Sequence, residues 1–221
     1  MKRFLFALLT ATALFASAAQ AVTVRGTDTG ALVGHDLTDP ENNGAPNSYE
    51  NYNAVFRSSI EPYFYNEGAF NVFDNLVDGR DAKWCCDTNG WVEADFGNKR
   101  YTLTSFTAAS GNDGPDRDPD VWQILGSNDG IHYTTIFSYN HDTVSPWGKT
   151  RKQVNQYFVG SDFAAPAAYS IFRYQTFSVV NYSAHQISEL EFFGTEVPEP
   201  GSLALLGLGL LAVMGMRRKR A

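Results

Sequence analysis

The chain is poor in the residues that most enzyme and metal sites are built from. It has two cysteines in 221 residues, and they are adjacent, Cys85 and Cys86. That excludes a disulfide-rich scaffold and a zinc site made of cysteine alone. The four histidines, His35, His132, His141 and His185, stand far apart, and none completes H-x-x-x-H or H-E-x-x-H. No G-x-S-x-G elbow, phosphate loop or G-x-G-x-x-G turn occurs. Basic residues are scarce in the middle: residues 22–196 hold 11 against 23 acidic ones, a net of −12, while the whole chain carries −7. A nucleic-acid binder needs a basic surface, so that class is excluded. Aromatics are not scarce. Sixteen Phe, 11 Tyr and 4 Trp supply a real core, and the length suits one domain plus processing segments.

Both ends read as addresses. Lys2 and Arg3 precede an apolar run, Phe4 to Phe15, and small residues end at Ala19-Gln20-Ala21. This is a secretory signal peptide over 1–21, cleaved after Ala21. Export places the mature chain in an oxidising compartment. At the other end, Pro198-Glu199-Pro200 cannot sit inside a helix. An uncharged run from Gly201 to Met216 follows, and Arg217-Arg218-Lys219-Arg220 closes the chain. Sixteen helical residues span roughly 24 Å, a little short for a hydrocarbon core of about 30 Å, a gap that flanking residues and bilayer thinning reduce. The basic end stays cytoplasmic.

Between the ends, alternation replaces helical periodicity. In Trp91–Phe96, Val92, Ala94 and Phe96 share one face, with Trp91, Glu93 and Asp95 on the other. Further strands are expected at Tyr101–Ala108, Val121–Leu125, His132–Tyr139, Gln153–Val159, Tyr169–Val179 and Ile187–Phe193. Asn128-Asp129-Gly130 between two apolar runs is a hairpin signal. Asp36 to Asn53 is polar and turn-rich, a long loop. Short strands at this spacing predict an all-β sandwich.

The tripartite tail over 196–221, Pro-Glu-Pro then apolar helix then Arg-rich end, resembles the PEP-CTERM sorting signal of Gram-negative bacteria. The resemblance implies an exosortase-type membrane protease as partner, removal of the tail, and delivery to the cell surface or an extracellular polysaccharide matrix. A permanent single-span anchor is the alternative. The middle resembles a discoidin domain, also called factor V/VIII type C. The residues that carry this are Ala69-Phe70-Asn71-Val72-Phe73-Asp74-Asn75, Lys83-Trp84, Trp91 to Gly97, Arg117 to Trp122, Gly126-Ser127-Asn128-Asp129-Gly130, Tyr169 to Tyr174 and Ile187 to Gly194. The implied fold is a jelly-roll β-sandwich, galactose-binding-like, with its core over 67–195 and an N-terminal strand and long loops over 22–66. Fold alone does not fix the ligand.

Calcium takes six to eight oxygen ligands. Asp74, Asp78, Asp81 and Asp87 crowd one segment. The discoidin resemblance implies a structural calcium held by Asp74 or Asp78, by Glu189, and by the Ser188 carbonyl. Ala82 stands where the pattern has threonine, which leaves that ligand lost or replaced by Asp81. Glu189 and Glu191 share a face with Ile187 and Phe193, so they need a partner if that face packs and none if it is solvated. Asp116-Arg117-Asp118-Pro119-Asp120 is not an EF-hand loop, because Ser127 takes the twelfth position; it reads as a solvated turn in which Arg117 pairs a carboxylate.

Adjacent cysteines leave three states open: a strained ring, an intermolecular bridge or two buried thiols. A ring forces Cα atoms about 3.8 Å apart, below the usual 4.4 Å. Sugars are bound by aromatic faces and a few polar groups. Loop candidates are Tyr49, Tyr52, Tyr63, Tyr65, His141, Trp147, Arg151 and Tyr182. The expectation is a non-catalytic surface or matrix module that binds glycan or exopolysaccharide. A structural matrix protein without a pocket is the alternative, and an exported hydrolase is a third reading.

Overall fold

The computed structural model describes residues 22–45, 48–60, 67–77, 83–198 and 201. Eleven strands are found among them: β1 (Thr23–Thr27), β2 (Val55–Ser58), β3 (Trp84–Cys86), β4 (Gly90–Asp95), β5 (Tyr101–Ala109), β6 (Pro119–Ser127), β7 (Thr134–Asn140), β8 (Gln153–Phe158), β9 (Ile171–Val179), β10 (His185–Ile187) and β11 (Glu189–Glu196). They form a four-stranded sheet, β1-β8-β5-β11, a five-stranded sheet, β2-β4-β9-β6-β7, and a small pair, β10-β3. All pairings are antiparallel. This is an all-β sandwich. No helix among the described residues is long and apolar enough to cross a membrane. The apolar tail lies outside the described residues.

Alternation explains the core. Val92 and Ala94 of β4, Trp122 and Ile124 of β6, and Phe172 and Tyr174 of β9 face inward from the larger sheet. Phe106 and Ala108 of β5, Tyr157 of β8, and Leu190 and Phe192 of β11 meet them. The sheets touch ring to ring: Phe106 lies 6.3 Å from Trp122, and Phe172 lies 5.4 Å from Phe192. Burial on this scale, at roughly 25 cal/mol per Å², is the main force holding the layers together.

Ser188 interrupts what reads in sequence as one strand. It separates β10 from β11, so Ile187 enters the core beside Leu190 and Phe192 rather than facing the same way as the two glutamates. Glu189 and Glu191 are nevertheless buried, at 1% and 0% exposure. The loop after β1 covers them. It runs along β11, the free edge of its sheet, where Leu37 N donates to the Phe192 carbonyl. An edge strand left bare invites pairing with another chain, and this loop blocks it.

The hairpin between β6 and β7 turns at Asn128-Asp129-Gly130, with Gly130 at φ 69°. The Asp129 carboxylate accepts from Ile131 N and His132 N, which fixes the turn. Asp118 and Asp120 are not solvated, as the sequence suggests, but buried at 0% and 4%. Asp120 accepts from Thr143 N and Ser178 Oγ, and so ties the loop after β7 to β9.

Candidate functional site

One end of the sandwich gathers an exposed aromatic, a partly buried arginine and a partly exposed carboxylate. It is built by the β5–β6 loop, the β9–β10 loop and β3. Asn181 N donates to the Asp116 carbonyl and Val180 N to the Asp118 carbonyl, which holds two of these segments together. The β5–β6 loop is shaped by Gln186 of β10, whose amide donates to the Gly114 carbonyl and accepts from Asp113 N. The loop approaches so closely that a Cβ on Gly111 would sit 2.3 Å from the Gln186 amide carbon, so any other residue there would displace the Gln186 amide.

On this end Tyr182 is 55% exposed, and the Arg117 guanidinium lies 5.8 Å from its ring centroid. Arg117 Nε donates to the Ala184 carbonyl, and Nη1 pairs with Asp113 in an i,i+4 contact. Asp113 also accepts from Lys83 Nζ at 2.9 Å. Partial burial works against the Asp113 charge, but Lys83 and Arg117 prevail and hold the carboxyl below its ordinary range. Lys83 is buried and reaches Asn112 at 3.0 Å and Glu67 at 3.5 Å. Burial pushes the Glu67 carboxyl up, with Lys83 opposing.

Cys85 and Cys86 are joined as a disulfide, so of the three states left open the structure has the ring. Their peptide bond is cis, and the Cα atoms are 3.1 Å apart. Cys85 is buried and Cys86 partly exposed. Arg117 Nη2 lies 3.8 Å from Cys86 Sγ. Tyr182, Arg117, Asp113 and the sulfur pair thus form one continuous patch. Its chemistry is an aromatic face, a planar cation and a carboxylate, the groups that hold sugar rings and hydroxyls.

A second cluster is acidic and buried. Asp36, Asp74, Glu189 and Glu191 are all at most 4% exposed. Two of the four are satisfied by the chain. Glu191 accepts from Val33 N, Gly34 N and Thr107 Oγ1. Asp36 accepts from Thr38 Oγ1, Asp39 N and Phe192 N. Asp74 accepts from Leu76 N. Glu189 has a buried carboxylate oxygen, Oε2, without a hydrogen-bond partner, and the neighbouring Ser188 Oγ has none either. Burial pushes Asp36 and Asp74 up to about 7 and Glu189 well above its ordinary value, with Asp74 the strongest charge acting on Glu189. An orphaned buried carboxylate oxygen beside a second carboxylate is a donor set of hard oxygens, which fits calcium.

The other sequence candidates fall in different places. Asp78, Asp81, Tyr63 and Tyr65 lie outside the described residues, as do Glu199, Pro200, Arg217 and Arg218. Pro198 is at the end of the sandwich domain. Trp147 does not face a ligand: it is 2% exposed, and its indole Nε1 donates to the Ala108 carbonyl in the core. Arg151 is committed to buried Asp118, by Nη1 at 2.7 Å and Nη2 at 2.6 Å. His141 lies tilted against Tyr139, centroids 4.3 Å apart, beside a cavity of about 370 Å³ between β7 and β8, away from the Tyr182 patch. Lone histidines read as surface residues in sequence, yet His185 is fully buried and meets Tyr174 Oη at 2.9 Å. Glu67 and Asp113 carry no sequence signal of a shared site, and Lys83 carries one only through the Lys83-Trp84 pair.

Comparison with known proteins bears on both parts of the chain. Residues 196–219 match the PEP-CTERM protein-sorting motif. A sequence comparison with curated proteins finds no match. Among solved structures, a fucolectin from striped bass serum superposes with TM-score 0.51 at 15% identity, over 67% of this chain and 49% of that one. A family 32 carbohydrate-binding module from Streptococcus pneumoniae has TM-score 0.49 at 11% identity, over 64% and 96%. A family 32 module from Clostridium perfringens, solved with galactose, has TM-score 0.48 at 14% identity, over 66% and 95%. The chain shares with the fucolectin the fold of an antiparallel β-sandwich. The chain joins that sandwich to a PEP-CTERM sorting motif at its C-terminus.

Proposed function

We propose that the chain is an exported, non-catalytic glycan-binding module, sorted by an exosortase-type membrane protease to the cell surface or to an extracellular polysaccharide matrix. The observation that carries the ligand class is the end patch, where exposed Tyr182 is backed by Arg117 and flanked by Asp113 and the disulfide. The name of the fucolectin, which shares the fold, supports the same class. The ring of Tyr182 stacks on the apolar face of a pyranose, while Arg117 and Asp113 meet its hydroxyls. The PEP-CTERM match supports the sorting step.

The test is binding of the full chain, in mild detergent, to a printed glycan array, with free galactose and fucose as competitors. Tyr182→Ala is expected to weaken binding at least about tenfold with an unchanged melting temperature. Binding to no glycan, or binding untouched by Tyr182→Ala, overturns the reading and leaves the matrix protein without a discrete pocket. The sorting step is read from the mass of the exported protein. Loss of the tail in a host with an exosortase, and retention without one, is the expected pair of results.

A structural calcium belongs to the same proposal. Asp74 and Glu189 are its side-chain ligands, with Ser188 beside them and Asp78 or Asp81 as further candidates from the same acidic segment. The support is the unpartnered Glu189 oxygen and the repulsion that a dication relieves. When bound, the ion supplies charge neutralisation and cross-links the Asp74 segment to the start of β11.

A further inference from the structure

Three metal-binding donors converge behind the end patch. Cys85 Sγ, Cys86 Sγ and a Glu67 carboxylate oxygen all lie within 4.8 Å of one another. The two oxygens of Glu67 point to different partners. Oε1 is 3.5 Å from Lys83 Nζ, while Oε2 is 2.7 Å from Cys85 Sγ and 3.7 Å from Cys86 Sγ. Glu67 and Lys83 are each 6% exposed. Buried Lys83 thus orients the carboxylate and leaves Oε2 aimed at sulfur, as an outer partner orients a metal-binding carboxylate.

The charges around the cluster favour a dication once the sulfurs are free. Glu67 and Asp113 are offset by Lys83 and Arg117 through linked ion pairs. Two bare thiolates would add two uncompensated charges to a buried place, which is costly. Two thiolates with one dication add none. Arg117, 3.8 Å from Cys86 Sγ, favours the thiolate that a metal needs.

We propose that reduction of the Cys85–Cys86 disulfide creates a site in which Cys85, Cys86 and Glu67 bind one thiophilic divalent cation, such as zinc or cadmium. The reductant is a dithiol. It attacks the partly exposed Cys86 sulfur, gives two electrons and two protons to the sulfur–sulfur bond, and leaves as a cyclic disulfide. The products on the chain are two thiols. The cation then replaces both S–H protons, which go to solvent, and forms two metal–sulfur bonds and one metal–oxygen bond. Zinc takes sulfur at about 2.3 Å and oxygen at about 2.0–2.2 Å, so the two sulfurs, once separated by reduction, and the Glu67 oxygen fill three positions, with a fourth left for water. The oxidised chain has no such site, because its sulfurs are bonded to each other. The argument for this site does not rest on glycan binding, although the sulfurs border the Tyr182 patch, and the site is distinct from the calcium cluster, since calcium prefers oxygen.

The test is anaerobic titration of the dithiol-reduced, desalted full chain with cadmium, read by thiolate-to-metal charge-transfer absorption. The expected result is a band that saturates at one cadmium per chain and a higher melting temperature with the metal. The oxidised chain, which needs no substitution, gives no band. Cys85→Ser or Cys86→Ser weakens binding at least about tenfold, and Glu67→Gln keeps the band at roughly tenfold lower affinity. No band in the reduced chain, one cadmium shared between two chains, or a reduced chain that stays unfolded with cadmium present overturns the proposal.

Discussion

Asp118 is completely buried and receives both Nη atoms of Arg151, at 2.7 and 2.6 Å. Ser145 Oγ donates to the same carboxylate at 2.6 Å. Burial pushes the Asp118 carboxyl up, and Arg151 and Ser145 oppose that. The pair ties the β7–β8 loop to the start of β6. Replacing Arg151 by Met leaves a buried carboxylate with only neutral partners, Ser145 and Gln186, so the expected loss is about 3 kcal/mol, read from urea unfolding. Adding Asp118→Asn to that variant is expected to recover a large part of the loss, because the unpaired charge is then gone. An Arg151 variant that melts normally and loses glycan binding instead would return Arg151 to the ligand site.

On the outer face of the larger sheet, Arg173 lies between Trp91 and Tyr133, 3.8 Å from each ring centroid, and pairs with buried Glu93 at 2.8 Å. A lysine keeps the charge but cannot lie flat between two rings. Arg173→Lys is therefore expected to cost about 1–2 kcal/mol. Arg173→Ala, which also strips Glu93 of a partner, is expected to cost roughly 3 kcal/mol, moderated by Arg57, 3.3 Å from the same carboxylate. Chemical denaturation of both variants checks the order.

Calcium at Asp74 and Glu189 has a simple thermal signature. A ligand that binds only the folded chain stabilises it by about 4 kcal/mol at a thousandfold excess over its Kd. Millimolar calcium is expected to raise the melting temperature by several degrees relative to chelator, and Glu189→Gln to abolish the rise. In chelator the same variant is expected to melt at or above the parent, since it removes a carboxyl whose charged form burial, then Asp74 and Glu191, disfavour. A calcium shift that survives Glu189→Gln places the ion elsewhere.

His185 is expected to make the fold acid-sensitive. Burial, then the charge of Arg117, lowers its folded pKa from 6.5 to about 3. Between these values the unfolded chain binds a proton that the folded chain refuses. Its contribution is therefore fully present above about pH 6.5 and is lost progressively as the pH falls toward 3. Asp36, pushed up to about 7 by burial, acts in the opposite sense: it adds stability as the pH falls from 7 toward 4. His185→Gln is expected to flatten the acid loss, and Asp36→Asn to steepen it. Melting temperatures from pH 4 to 7.5 separate the two.

Much of the sandwich is readable from alternation. The seven expected strands correspond to β4 through β9 and to β10–β11 together, and the turn falls at Asn128-Asp129-Gly130, with Gly130 taking the positive φ. The shortest strands are not readable. β3 spans Trp84–Cys86 and β2 Val55–Ser58, too short to show a period. Ser188 misleads for a related reason: one residue breaks the strand, and the parity of every later side chain changes. Site residues are harder. Tyr182 can be named because an aromatic in a Ser/Asn loop is conspicuous, whereas Trp147 and Arg151 look the same in sequence and prove to be a core ring and a buried ion-pair partner.

The sequence by itself determined the properties that depend only on order along the chain. The all-β class, the acidic balance and the match of the tail to a sorting motif all rest on composition or on neighbours in sequence. Tertiary structure alone decided which carboxylates are satisfied and which are not. Glu191 is quenched by Val33, Gly34 and Thr107, and Glu189, two residues earlier, keeps an unpartnered oxygen. It also brought Glu67, Cys85, Cys86 and Arg117 together from separate segments. The physical reason is that burial and charge pairing depend on distance through space, and the folded sandwich sets those distances between residues far apart in the chain.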